Sequence, residues 1–228
     1  MDLDARLGRL PIFPLPSVQL FPHALLPMHI FEPRYRALVA DALASDRLFA
    51  IADLGDDFDP ADDGPRLRPA VRAVCGVGEV IAHEMLPDGR SNILLHGVAR
   101  ARIVEEIESP DSPRLYRVVH AEHLEDVYPA GVDLGGAQRA LLALADSLAA
   151  RLPSGGDTLR ALARSHVDPG ALSDVLGAAI VTNSGTRRSL LEMLDVAARV
   201  DAVSTAIALA LDRFDPPPAT ARGGGHFN

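Results

Sequence analysis

Prolines cut the opening of this chain into short apolar pieces, and that limits what it can build. Leu10-Pro11-Ile12-Phe13 and the run from Leu25 to Phe31 are each broken by proline. Proline offers no N–H to a sheet ladder, so these runs suit strand ends, edges or bulges. Leu48 to Ala52 is a further short run. Val71 to Met85 is a longer β-rich stretch containing Gly76 and Gly78, which suggests a bend or barrel corner. Leu86-Pro87-Asp88-Gly89-Arg90 reads as a hairpin turn, because Pro presets φ and Asp-Gly supplies the turn. It leads into Asn92 to His96; Gly97 then separates that strand from Ala101 to Val104. A last strand is expected from Leu115 to about Leu124. Short strands at this spacing favour a closed or partly open antiparallel barrel.

One helix interrupts them. Glu32-Pro33-Arg34-Tyr35 places Pro in a first turn. Tyr35, Leu38, Val39, Ala42 and Leu43 then form one apolar face aimed at the barrel. After about residue 130 the composition turns to Ala and Leu. Helices are expected over Ala137 to Leu152, from Asp157 as cap to about Ser165, and from Asp168-Pro169, with Asp as N-cap and Pro at N1. Thr186 to Leu194 and Val196 to Phe214 follow, with Asp195 as the cap between them. The expected class is α+β: an antiparallel pseudo-barrel with one inserted helix over 8–126, then a C-terminal α-helical bundle over 127–214. Asp53 to Pro69 reads as an acidic surface loop. Residues 215–228, with Pro216-Pro217-Pro218 and Gly223-Gly224-Gly225, read as a disordered tail.

All 22 basic residues are Arg; there is no lysine. Schiff-base chemistry, a Ser-Lys dyad and a P-loop lysine are therefore excluded, and Arg cannot replace Lys as a base. The 31 acidic residues set the net charge at -9, opposite to the basic excess of a nucleic-acid binder. Cys75, the single cysteine, allows no intrachain disulfide and sits in an apolar run as a buried thiol. The acidic N-terminus does not read as a signal peptide, and no run approaches the ~18 apolar residues of a spanning helix. A soluble, cytoplasmic protein is expected.

Catalytic and metal motifs fail on inspection. His83-Glu84-Met85-Leu86-Pro87 has Pro where a zinc pair needs its second His. Gly76 and Gly78 lack the third glycine of a dinucleotide loop. The acidic loop lacks the Gly and Glu of a calcium-binding register. His120 and His123, three apart in a strand, point to opposite faces. His23 and His29 read as structural polar contacts. No metal and no cofactor is expected.

Leu10-Pro11-Ile12-Phe13-Pro14-Leu15-Pro16-Ser17-Val18-Gln19-Leu20-Phe21-Pro22 is followed by Leu25-Leu26-Pro27-Met28-His29-Ile30-Phe31-Glu32-Pro33-Arg34-Tyr35-Arg36. This resembles the opening signature of the N-terminal domain of Lon proteases, in its free-standing bacterial form. Gly76 to Ala82 looks like a strand of that family. Asp88-Gly89-Arg90 with Ile93 to Arg100 resembles its hairpin, and Leu190-Leu191-Glu192-Met193-Leu194-Asp195-Val196-Ala197-Ala198-Arg199 resembles its helix pair. The resemblance covers residues 10 to about 213. It departs at His23, where the family commonly has Gly after Phe-Pro, and this leaves the turn geometry there open. It implies a PUA-like pseudo-barrel followed by a helical bundle. It also implies a non-catalytic region that recognises unfolded or tagged polypeptides, separate from the ATPase and Ser-Lys peptidase domains.

Such a module captures polypeptide by strand addition at a frayed edge or by an apolar groove. The edge is expected around Phe21-Pro22 and Leu26-Pro27. Phe21, Pro22, Phe31, Arg34 and Tyr35 are the candidate peptide-binding residues. Aromatics are only 4% of the chain. Phe31 and Tyr35 therefore lean to the core, while Phe21 is balanced between core and edge. Arg34 either pairs with Glu32 to hold the helix start or meets a peptide carboxylate. Two alternatives stay open. An RNA-binding PUA-like module would need a patch from Arg66, Arg68, Arg72 and Arg100. A His/carboxylate hydrolase would need a pocket with a coupled His–carboxylate pair.

Overall fold

A computed structural model describes residues 3–55, 58, 69–107 and 114–214. The tail from 215 and most of the acidic loop, including Asp56, Asp57, Asp59, Asp62 and Asp63, lie outside these residues. The elements run α1 (Leu3–Leu7), β1 (Leu10–Leu15), β2 (Leu25–Ile30), α2 (Pro33–Ala44), β3 (Leu48–Asp53), β4 (Val74–Met85), β5 (Ser91–Glu106) and β6 (Arg117–Leu124), followed by α3 (Leu134–Arg151), α4 (Gly156–Arg164), α5 (Pro169–Ile180), α6 (Ser184–Glu192) and α7 (Val196–Asp212).

The strands pair in the order β2-β5-β4-β3-β1-β6, and β6 also pairs with β5. Five strands therefore close a barrel, and β2 lies outside the closure. The long β5 makes this possible: residues 91–96 pair with β2, and residues 100–106 pair with β6. The barrel is not wholly antiparallel as expected, because β1 runs parallel to β3. A parallel pair needs a long crossover, and the segment through β2 and α2 supplies it.

Small side chains fill one side of the barrel wall: Ala50, Ala52, Cys75, Ala99, Ala101 and Ala121 cluster with Leu7, Leu10 and Ile12. Leu7 comes from α1, a short helix that the N-terminal sequence does not announce. On the other side, Phe13, Phe49, Ile51, Val80, Ile93 and Leu95 pack against Tyr35, Leu38, Val39 and Ala42 of α2. The expected apolar face of α2 is thus the buried one.

Local signals place several elements. At the hairpin, Gly89 has φ 78°, Leu86 N–H donates to Arg90 O at 2.8 Å, and Asp88 Oδ1 accepts from Arg90 N–H at 3.0 Å. Asp168 caps α5 by accepting from Ala171 N–H, and Asp195 caps α7 by accepting from Ala198 N–H. Two expectations are corrected. The cap of α4 is Gly155 in the left-handed region, and Asp157 sits in the first turn, where its charge meets the helix dipole. Gly97 does not divide two strands, because β5 runs through it. A Cβ built on Gly97 would lie 1.9 Å from Phe21 O, and one on Gly76 would lie 1.8 Å from Leu20 O. Both glycines let the Leu20-Phe21 backbone lie directly on the barrel wall.

Candidate functional site

The barrel and the bundle meet through Phe21 and a buried ionic knot. Phe21 is 1% exposed, and its ring joins Leu141, Leu172, Leu176 and Leu190 in the bundle core. The Arg187 guanidinium lies 5.3 Å from that ring and donates to Ala178 O, Val181 O and Gln19 O. Next to it, Arg188 pairs with Asp53 at 2.8 Å, while Asp53 also accepts from Ser17 N–H and the Gln19 amide. Asp53 is therefore a buried clamp, not the first residue of a solvated loop.

In the knot, Arg100 of β5 grips Asp174 of α5 with both Nη atoms and donates from Nε to Leu191 O at 2.9 Å. Arg199 of α7 places Nε 3.1 Å from Asp174 Oδ1 and also pairs with Asp126. Burial pushes the Asp174 carboxyl above its ordinary pKa, and the Arg100 hydrogen bonds pull against that rise. The chemistry is structural. Both guanidinium groups are taken up by carboxylates, backbone carbonyls and the Ser173 hydroxyl, and Arg does not deprotonate in a protein. Arg100 and Arg199 come from the two motifs quoted above, so the knot joins segments about a hundred residues apart in the chain.

The five candidate binding residues separate. Phe21 and Pro22 are buried, because the Phe21 carbonyl lies over Gly97 and its ring enters the helices. Tyr35 is buried, stacked on Phe13 at 3.6 Å between centroids, with its hydroxyl donating to Pro14 O. None of these three offers an apolar anchor to a ligand. Phe31 differs: against the expectation of a core position, it is 59% exposed, with His29 stacked beside it. Arg34 is held by Glu32 at 2.8 Å and lies over the Tyr35 ring, so the pair braces the start of α2.

Phe31 borders β2, the strand whose edge is expected around Leu26-Pro27, and a face of it that the sequence did not single out. Leu26, Met28 and Ile30 of β2 face α2. The alternate residues Leu25, Pro27 and His29 face the other way, and Leu25 is 57% exposed. They lie in rows with residues of β5 and β4: Leu25–His96–Glu79, Pro27–Leu94–Ala82 and His29–Asn92–Glu84. A bulge beside Ala82 exposes Ile81. The last row is hydrogen-bonded across three strands, from His29 to Asn92 at 2.8 Å and from Asn92 to Glu84 at 3.0 Å. Among the described residues, β2 pairs only with β5, so its outer edge is open. The alternation of exposed Leu25, Pro27 and His29 was the available signal.

The turn into β2 is formed by His23, which has φ 64°. Its N–H donates to Gly97 O, and Gly97 N–H donates to Ala24 O. Two residues thus oppose one, as in a bulge whose first position normally holds glycine. His23 takes the conformation that glycine would prefer. Its ring meets His166 edge-on at 5.9 Å.

Other chemistry is poorly supplied. Burial pushes the Cys75 thiol up to about 12, so it is not a nucleophile. Among the described residues, no group of three His, Cys, Asp or Glu could hold a metal, and no His hydrogen-bonds a carboxylate. A cleft of about 320 Å³ lies between α3 and α4, lined by Leu152, Ser154, Gly156, Asp157 and Arg160, without a histidine. The patch that an RNA-binding module would need loses Arg100, which is 3% exposed in the knot; Arg66 and Arg68 lie outside the described residues. Among the described residues, no helix is long and apolar enough to cross a membrane.

Comparison with known proteins agrees with this architecture. The chain superposes on the N-terminal domain of a Mycobacterium avium complex Lon protease with a TM-score of 0.66 at 19% identity, covering 88% of this chain and 98% of that one. A Lon N-terminal domain protein from Xanthomonas campestris matches with a TM-score of 0.57 at 19% identity, covering 86% and 97%. In sequence, the Lon protease of Dictyoglomus thermophilum is 26% identical over 196 residues, 86% of this chain and 24% of its own length. That of Roseiflexus castenholzii is 27% identical over 194 residues, 84% of this chain and 23% of its own. The chain thus spans about a quarter of these relatives, and the catalytic domains are not in the matched part. Residues 9–208 match the profile of the ATP-dependent protease La (LON) substrate-binding domain, and the chain belongs to that family.

Proposed function

We propose that this chain binds unfolded or tagged polypeptides without cutting them, and does so in the bacterial cytoplasm. One observation carries the reading. Phe31 and Leu25 stand exposed at the two ends of an edge strand whose outer side has no partner among the described residues. An unfolded polypeptide presents scattered apolar side chains and unpaired backbone groups, and this surface offers a counterpart to each. The lack of lysine supports a role without peptidolysis, since no Ser-Lys site can be assembled from these residues.

The test is retention of a chemically unfolded protein and of its native form by the purified chain, with ATP hydrolysis and peptide cleavage followed in parallel. Retention of the unfolded form alone, without turnover, is the expected result. Cleavage by the pure chain, or equal retention of both forms, overturns the proposal.

A further inference from the structure

The hydrogen-bond ladder of β2 has a phase, and the phase decides what its open edge can hold. Gly97 N–H donates to Ala24 O, and the register then runs Leu25↔His96 through Ile30↔Ser91. Bonded and non-bonded pairs alternate in an antiparallel ladder. Leu26, Met28 and Ile30 therefore bond to β5, while Leu25, Pro27 and His29 turn their backbone groups outward. Pro27 fits this phase, since its missing N–H falls on the outer side. The open edge offers the N–H groups of Leu25 and His29 and the C=O groups of Leu25, Pro27 and His29.

We infer that this edge takes an extended segment of an unfolded polypeptide as an added strand, with alternate apolar side chains and a Lys or Arg among them. The inference rests on the polypeptide-binding reading and gives it a location and a register. A guest residue opposite Leu25 or His29 exchanges two hydrogen bonds, and one opposite Pro27 makes a single bond to its C=O. Guest side chains at these positions share the face of Leu25 and Pro27 and lie beside Phe31.

Charge selects among guests. Among the described residues paired across this face, the ionisable groups are Glu79, Glu84, His29 and His96, and none is an arginine. Glu84 leans onto Asn92 of the middle strand and has no cationic partner among the described residues. A guest strand lies three spacings of about 4.8 Å, roughly 14 Å, from the Glu84 backbone, so only a long side chain such as Arg, extended over His29, approaches the carboxylate that leans back onto Asn92. An acidic guest meets repulsion at the same place. Pro27 also limits the edge: a second copy of β2 brought against it antiparallel would set proline within the new ladder, which disfavours self-pairing.

The experiment uses the intact chain and dye-labelled synthetic peptides of alternating Val and Thr with one Arg, read by fluorescence anisotropy. Two further peptides carry N-methyl groups on alternate amides, one on each of the two alternating sets. One N-methylated set is expected to weaken binding at least tenfold and the other to leave it nearly unchanged, because only one set faces β2. Replacing the Arg by Glu should weaken binding several-fold, and Glu84→Gln should narrow that difference. If both N-methylated sets bind like the parent while Phe31→Asp abolishes binding, strand addition is overturned and polypeptide binding stands. If neither the peptides nor an unfolded protein bind, the polypeptide-binding reading falls with it.

Discussion

Arg100 of the barrel and Asp174 of the bundle form an ion pair in which neither side chain is more than 3% exposed. Nη1 stands 2.9 Å from Oδ2, and Arg199 adds a second cation to the same carboxylate. Removing the carboxylate leaves two cations with reduced compensation in a buried place. Asp174→Ala is expected to cost about 3–5 kcal/mol in denaturant unfolding. The double variant Arg100→Met with Asp174→Leu should recover part of that loss, since apolar replacement of a buried pair is often tolerated. A loss under ~1 kcal/mol for Asp174→Ala would show that water already reaches the knot.

His23 occupies a left-handed backbone position with an ordinary side chain. The strain of that conformation is about 1–2 kcal/mol, and glycine carries an entropy cost of roughly 0.5–1 kcal/mol. His23→Gly should therefore raise stability by about 0.5–1 kcal/mol, seen as a higher denaturant midpoint at pH 7. A lower midpoint would mean that the edge-on contact with His166 outweighs the backbone strain.

The same ring predicts a pH dependence. Burial lowers the His23 pKa below 6.5; His166 and His96 add to this, and Asp174 and Asp168 oppose it. Well above pH 6.5 the ring is neutral in both states and contributes nothing. As pH falls below 6.5, the unfolded chain takes up its proton first, so stability declines until the folded ring is also protonated. The midpoint difference between His23→Gly and the parent chain should widen through that acidic window. Parallel curves would assign the acid sensitivity elsewhere.

Gly97 has no room for a methyl group, because its Cβ would stand 1.9 Å from a carbonyl oxygen of another segment. That oxygen belongs to Phe21, whose ring is anchored in the bundle, so it cannot yield alone. Gly97→Ala should destabilise by about 3 kcal/mol or more. Native-state hydrogen exchange should report the damage at His23 and Ala24, whose turn depends on the same contact.

Phe31 and Tyr35 lie four residues apart and should respond in opposite ways. Phe31→Ser is expected to change stability by less than about 0.5 kcal/mol while weakening retention of unfolded protein. Tyr35→Ala removes the stack on Phe13 and a hydrogen bond, and should cost about 3–5 kcal/mol. An equal stability loss for both would place Phe31 in a contact that its exposure does not suggest.

The elements that sequence reading places correctly are those whose cause is local. Asp88-Gly89 makes its turn, Asp168-Pro169 starts its helix, and Tyr35 to Ala42 show their buried face, because capping, turn chemistry and periodicity act within a few residues. Arg100 and Asp174, 74 residues apart, carry no local mark of meeting. Nor does any spacing announce that β1 runs parallel to β3. Phe21 and Phe31 illustrate the limit: both stand in proline-flanked apolar segments, yet one is core and the other surface. The difference comes from Gly76 and Gly97, which let the backbone before Phe21 settle on the barrel wall and turn its ring into the helices, while nothing among the described elements covers Phe31. Burial at such positions is set by which distant segment arrives opposite, and chain topology alone makes that choice.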